Sequence, residues 1–165
     1  MPQPTKHATL ICIILTVVLI LGVILGLTKH NPLITALFLL PIVIYEVYRT
    51  EGKSTKWASW VMLFVIVAEA VFIFFKINFD LASFLGISGK NVAGYYVPLG
   101  DIKIVFPAIM AVLSLILFVK TYGKYTKWLA ILIFIGAVVI VYMIDPLIFK
   151  TILKSGIDEG LNQIR

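Results

Sequence analysis

Five long apolar runs dominate this sequence and limit what the chain can fold into more than any other feature. A helix needs about 20 apolar residues to cross the roughly 30 Å hydrocarbon core of a lipid bilayer. The runs cover residues 8–27, 33–48, 57–75, 102–119 and 128–144. Because helices satisfy their own backbone hydrogen bonds inside lipid, we expect an all-α integral membrane protein with five transmembrane helices in one domain, residues 1–165.

The composition agrees with this expectation. The chain is 61% hydrophobic and 13% charged, whereas soluble domains are about 45–50% apolar and about 25% charged. The first run is longer than the roughly 7–15 apolar residues of a secretion signal and has no A-x-A cleavage site. We therefore expect it to be retained as a membrane span.

The second span carries its own start and kink markers. Asn31 followed by Pro32 has the form of an N-cap and a first helical residue. Pro41 lies in the middle of the span, where we expect a kink. Residues 49–56 then form a polar loop.

Two further segments are predicted to lie at the membrane surface. Residues 77–101 form the longest connection, and we expect an interfacial helix and a short ordered loop there. Asp145 and Pro146 have the form of an N-cap followed by proline, which predicts a second interfacial helix over about residues 147–154.

An internal repeat links the two halves of the chain. Residues 49–57 realign without gaps on residues 120–128, at an offset of 71, with six of nine positions identical. The shared order favours a tandem duplication of a helical hairpin plus an interfacial segment, in units 33–101 and 102–165. Convergence is the alternative, because lysine, glycine and tryptophan recur in short membrane loops. Two spans separate equivalent positions, so the units would be parallel repeats.

The same basic loops predict the orientation. Loops 49–56 and 120–127 carry three basic residues each, next to the interface tryptophans Trp57 and Trp128. Short loops rich in lysine face the cytoplasm. Total lysine and arginine are balanced between the two sides, so the prediction rests on these short loops. We expect the N-terminus in the cytoplasm and the C-terminus outside, in the plasma membrane.

Glu69 is the main candidate for chemistry. It lies near the midpoint of the segment from Trp57 to Phe79, between Ala68 and Ala70. A charged group at that depth costs about 2.5–3.5 kcal/mol on insertion scales, so such groups usually face protein or water. Glu69 could bind a proton or cation, or it could make an interhelical hydrogen bond or contact another subunit. Lys76 is seven residues further along and is expected to reach the interface rather than pair with it.

Glu46 is the second acidic candidate, again as an ion or proton site or an interhelical contact. Arg49 follows at i+3, which is the spacing of a helical ion pair. A salt bridge between these two residues at the interface is the simpler expectation.

Gly22 and Gly26 form a G-x-x-x-G motif on the first span. This motif lets transmembrane helices approach closely. It predicts that the first span packs tightly against another helix of this chain or of a neighbour.

Other sequence motifs predict no catalytic, cofactor or metal site. His7 and His30 both lie outside the spans, and Cys12 is the only cysteine. The net charge of +6 arises from lysines at the ends of the apolar runs. These lysines suit lipid headgroups, so we expect membrane lipid and no nucleic acid as a partner.

These observations favour a non-catalytic integral membrane subunit that packs in and stabilises a larger complex, with other subunits or further copies as partners. One alternative is a small ion- or proton-coupled transporter or channel that uses Glu69, and a weaker one is a lipid-active enzyme. An enzyme is the less expected class. A transporter should place Glu69 beside a wet cavity, a subunit should bury it against protein, and an enzyme should cluster polar residues in 77–101.

Overall fold

The computed structural model describes residues 7–77, 91–92, 95–96 and 102–146. Five helices make up this part of the chain, and each is long and apolar enough to cross a membrane. Their bounds are α1 Ala8–Lys29, α2 Pro32–Arg49, α3 Lys53–Phe74, α4 Ile102–Lys120 and α5 Lys124–Ile144. The prediction of an all-helical architecture with five such helices is confirmed.

A two-residue strand pair lies within the long connection. β1 (Asn91–Val92) pairs antiparallel with β2 (Tyr95–Tyr96), with Asn91 opposite Tyr96. The interfacial helices predicted in 77–101 and over 147–154 fall outside the described residues.

The turn between α1 and α2 forms as predicted. Asn31 is the N-cap of α2, and its side-chain oxygen accepts a hydrogen bond from the Leu33 N–H at 3.0 Å. Pro32 opens the helix, where its missing N–H leaves no bond unmade. His30 ends α1 in the left-handed conformation, with a φ of 48°.

α3 and α5 begin earlier than the apolar pattern predicts. They start at Lys53 and Lys124, four residues before the predicted starts at Trp57 and Trp128. In each first turn a threonine hydroxyl donates to the glycine carbonyl that precedes the helix, Thr55 to Gly52 and Thr126 to Gly123. Lysine is a good helix former, so the basic segments extend the helices instead of forming loops.

α2 to α5 pack as a ring around one core, and α1 lies against its outside. α2 packs against α3 and α5, and α4 packs against the same two helices. α1 packs against α2 and α5. Every helix contributes side chains to the core, among them Leu19, Leu39, Ile66, Met110 and Ile133.

The outer surface of the bundle is apolar along its length. Large hydrophobic side chains such as Val17 on α1, Phe64 on α3 and Val112 on α4 are more than half exposed. Soluble proteins rarely expose contiguous apolar patches of this extent. Together with the five long apolar helices, this surface indicates a membrane protein.

Candidate functional site

The interior of the bundle contains two acidic side chains, and Glu46 on α2 is the first. Glu46 is 0% exposed. Its Oε1 atom accepts hydrogen bonds from the hydroxyl of Thr50, one turn further along α2, and from the hydroxyl of Ser59 on α3, at 3.1 Å. Its Oε2 atom is buried and has no hydrogen-bond partner among the described residues. The carboxyl group therefore links two helices while one of its oxygens stays unpartnered.

The predicted salt bridge between Glu46 and Arg49 is wrong. The Arg49 guanidinium lies over the ring of Tyr125 on α5, 4.8 Å from the ring centroid. Glu46 points instead to α3, where hydroxyl groups are its partners. Helical spacing alone allows the pair, but in the bundle the Glu46 side chain contacts α3 and the Arg49 side chain contacts α5.

Ser59 completes this first site, and the sequence analysis did not single it out. It belongs to one buried stripe on α3 that continues through Met62, Ile66 and Glu69, each 0% exposed. Its spacing from those residues follows the helical period. The sequence feature that could have identified Ser59 is its position: it follows Glu46 after one short loop and precedes Glu69 on the same helical face.

Glu69 is the second buried carboxyl group, and it stands at the other end of the same stripe. Both of its oxygens are buried without a hydrogen-bond partner among the described residues. α3 ends at Phe74, so Glu69 lies about 7.5 Å from the helix end rather than near the middle of the span. Lys76 lies beyond that end, exposed and in the left-handed conformation.

The walls around Glu69 come from the chain itself. α3 packs against both α2 and α4. Phe72, one turn beyond Glu69, meets Phe106 of α4 edge to face, with 5.4 Å between ring centroids. Such aromatic pairs contribute roughly 0.5–1.5 kcal/mol beyond simple burial. They help to close the interior of the bundle at this end.

The two carboxyl groups form separate sites. Ser59, which marks the level of Glu46, lies ten residues before Glu69 on α3, about 15 Å along the helix axis. Met62 and Ile66 lie on the stripe between them. Two apolar layers therefore separate the hydroxyl-bonded carboxyl group from the unpartnered one.

The second half of the chain lacks these polar side chains. At an offset of 71, the residues in place of Glu46, Ser59 and Glu69 are Leu117, Ala130 and Ile140. All three are buried. Among the described residues, the buried carboxyl groups thus belong to the α2–α3 hairpin.

Gly22 and Gly26 lie at the contact between α1 and α2. A Cβ atom at Gly22 would overlap Cβ of Phe38 and would lie 2.7 Å from its Cγ. A Cβ atom at Gly26 would overlap the hydroxyl of Thr35, which donates to the Gly22 carbonyl at 3.3 Å. α5 has a similar position that the motif search missed, since a Cβ at Gly136 would lie 2.7 Å from Leu39.

Metal ligands are not gathered in the part of the chain that the structure describes. No group of three or more His, Cys, Asp or Glu side chains lies together there. Cys12 is buried in the core.

No family of known sequences, no curated protein and no solved structure matches this chain.

Proposed function

We propose that this chain is an integral membrane protein that serves as a non-catalytic subunit of a larger membrane complex, in the plasma membrane. The observation that carries this proposal is the enclosure of Glu69. The side chain is 0% exposed, between helices of its own chain. A transport path needs water or a permeating ion beside such a group, whereas a packing subunit encloses it in protein.

The proposed membrane arrangement has α1 running outward from a cytoplasmic N-terminus, and the C-terminus outside. The charge of the short loops supports it, because the segments after α2 and α4 carry lysines and basic short loops stay in the cytoplasm. Trp57, Trp60 and Trp128 are exposed near that end, where tryptophan suits the headgroup region.

We also propose that α2–α3 and α4–α5 arose by duplication. The ring supports it, since exchanging α2 with α4 and α3 with α5 leaves the set of packed helix pairs within the ring unchanged. Burial supports it as well, because residues 71 apart are buried together along both hairpins. Such pairs are Leu39 and Met110, Val43 and Ser114, Met62 and Ile133, and Ile66 and Ala137.

Gentle extraction of the native membrane, followed by mass measurement of the intact particle, tests the subunit role. We expect the chain in a fixed stoichiometric ratio with other polypeptides, in a particle that survives a second purification step. Recovery of the chain alone, as a monomer or as a homodimer, would contradict the proposal.

A small proton- or ion-coupled transporter is the second candidate. The observation that favours it is that neither oxygen of Glu69 has a partner among the described residues. Such a group binds a proton or a cation more readily than one already engaged in hydrogen bonds.

Flux in proteoliposomes tests this second candidate. Glu69→Gln should abolish proton- or cation-driven flux, and Glu51→Gln, which changes an exposed acid in the basic loop, should leave it intact. Equal flux from the two variants would reject a coupling role for Glu69.

A further inference from the structure

The Ser59 hydroxyl has more acceptors than hydrogens to donate. Its oxygen lies 3.1 Å from the backbone carbonyl oxygen of Thr55 and 3.1 Å from Oε1 of Glu46. A serine hydroxyl carries one hydrogen and two acceptor lone pairs. Only one of the two contacts can therefore use the serine hydrogen at any time. The other contact to Ser59 has to be made by a hydrogen from the carboxyl group or be left without one.

Two hydrogen-bond arrangements of the carboxyl group follow from this geometry. When Glu46 is ionised, Ser59 donates to Oε1, and so does Thr50. When a proton occupies Oε1, the acid donates to the Ser59 oxygen, and Ser59 turns its own hydrogen to the Thr55 carbonyl. Oε1 then keeps a lone pair that accepts from Thr50. The carboxyl group therefore keeps hydrogen bonds to both hydroxyl groups with and without the proton, and only the contact between Ser59 and the Thr55 carbonyl loses its hydrogen when Glu46 is ionised.

We propose that Glu46, Thr50 and Ser59 form a reversible proton-binding site in the interior of the α2–α3 hairpin. This inference goes beyond the subunit role and does not depend on it, because either a subunit or a transporter could carry such a site. One proton binds to Oε1 of Glu46 and leaves from the same atom. The Ser59 hydroxyl reverses its donor direction as it does so.

The Glu46 carboxyl group has no ionic partner among the described residues. Among the described residues its hydrogen bonds come only from Thr50 and Ser59, and Arg49 is engaged with Tyr125. Among the side chains that the structure describes within α2 and the helices packed against it, the titratable or charged ones toward this end are Cys12, Tyr45, Tyr48, Arg49, Lys56, Lys124, Tyr125 and Lys127.

A proton fits this site better than a metal cation does. Hard cations such as Ca²⁺ and Mg²⁺ take about six to eight oxygen ligands. Of the two carboxyl oxygens of Glu46, only Oε2 has no hydrogen-bond donor among the described residues. The two hydroxyl groups already direct their hydrogens to the carboxyl group or to backbone carbonyls.

The second hairpin indicates that packing alone does not require this polar group. Leu117 and Ala130 occupy the equivalent positions, both buried. Thr121 keeps its hydroxyl there and donates to the Leu117 backbone carbonyl. A hairpin of this shape therefore closes with apolar residues in place of Glu46 and Ser59.

Infrared difference spectroscopy across a pH titration tests the proposal, with the full chain in sodium-free lipid nanodiscs. We expect a carboxylic acid C=O band that grows on acidification and disappears in Glu46→Gln. Ser59→Ala should keep this band but shift its frequency, because the acid loses its acceptor. Glu69→Gln is the matched control: it removes any band of the second buried carboxyl group and should leave the band that responds to Ser59→Ala unchanged. If Glu46→Gln does not fold, Ser59→Ala and Glu69→Gln still decide which carboxyl group the band reports.

Two results would overturn the proposal. One is a set of difference spectra that are the same in the unmodified chain, Glu46→Gln and Ser59→Ala over the whole pH range in which the protein stays folded. The other is loss of the band at constant pH on adding sodium chloride but not choline chloride, which would assign the site to a metal cation.

Discussion

At the scale of single residues, Glu69 has two buried oxygens without a hydrogen-bond partner among the described residues. A buried polar group without a hydrogen bond costs about 1–3 kcal/mol in mutational data. The sequence predicts that a carboxyl group lies within a span, but not which side chains face it, because the helices that pack against α3 are known only once the bundle has formed. For this reason the sequence analysis left proton site and interhelical contact both open.

Replacing Glu69 by an apolar residue of similar size should stabilise the protein. We expect Glu69→Leu to raise the free energy of unfolding by about 1–3 kcal/mol, since it removes the cost of burying two unpartnered oxygens. Glu69→Gln is the matched control and should gain less, because its amide stays unpartnered. Thermal unfolding in lipid nanodiscs measures both. Destabilisation by Leu would mean that the carboxyl group has a partner that the bundle depends on.

Gly52 and Gly123, which precede α3 and α5, allow the effect of backbone strain on stability to be distinguished from the effect of side-chain crowding. A Cβ at Gly52 would lie 2.9 Å from the Thr55 hydroxyl, and a Cβ at Gly123 would lie 2.8 Å from the Thr126 hydroxyl. Only Gly52 has a positive φ, 105°, against −71° at Gly123.

Gly52→Ala should therefore destabilise the protein by about 1–3 kcal/mol more than Gly123→Ala, because alanine pays the conformational cost of that backbone region. Chemical unfolding of the two variants side by side measures the difference. Equal losses would show that crowding against threonine, and not backbone conformation, sets the requirement for glycine.

At the scale of elements, the apolar runs predict the existence of all five helices but not where two of them begin. Length and hydropathy suffice for the first, because a run of about 20 apolar residues has few other options. They miss Lys53 and Lys124 because a lysine at the helix start adds no hydropathy. The partner of Arg49 was missed for a related reason, since Tyr125 reaches it only once α5 has packed against α2.

At the contact between α1 and α2, replacing a glycine by alanine is predicted to change stability in the opposite direction from the usual one. Replacing glycine by alanine inside a helix normally stabilises it by about 0.8–1 kcal/mol. At Gly22 the added Cβ would overlap Phe38, and overpacking costs about 1–3 kcal/mol. We expect Gly22→Ala to lower the free energy of unfolding.

Ile20→Ala, on the exposed face of α1, is the comparison and should change stability little. Unfolding of both variants in the same detergent gives the answer. A more stable Gly22→Ala variant would mean that α1 does not approach α2 this closely.

At the scale of the whole molecule, the basic segments lie at one end of the bundle. The hydroxyl of Thr9, at the start of α1, bonds to that of Tyr125 at the start of α5. The start of α1 therefore lies at the same end as both basic segments. Lys29, at the far end of α1, lies at the opposite end.

Cysteine labelling on intact cells tests the proposed orientation. In a Cys12→Ala background, Lys29→Cys should react with a membrane-impermeant maleimide without lysis if its end of the bundle faces outward as proposed. Tyr122→Cys, at a side chain 99% exposed in the basic segment, should react only after lysis, and Glu51→Cys should behave like it. Labelling of Tyr122→Cys in intact cells would show that the orientation is the reverse of the proposed one.

The ring also has a consequence for how the protein is made. α2 is the least apolar of the five helices, and it carries Glu46, Arg49 and Pro41. One of the helices it packs against, α5, is the last of the five to leave the ribosome. At a synthesis rate of about 5–20 residues per second, α5 is completed seconds to tens of seconds after α2. During that delay α3 can already cover Glu46, but Arg49 lacks its contact with Tyr125, so we expect the packing of α2 to be completed only after α5 has been inserted.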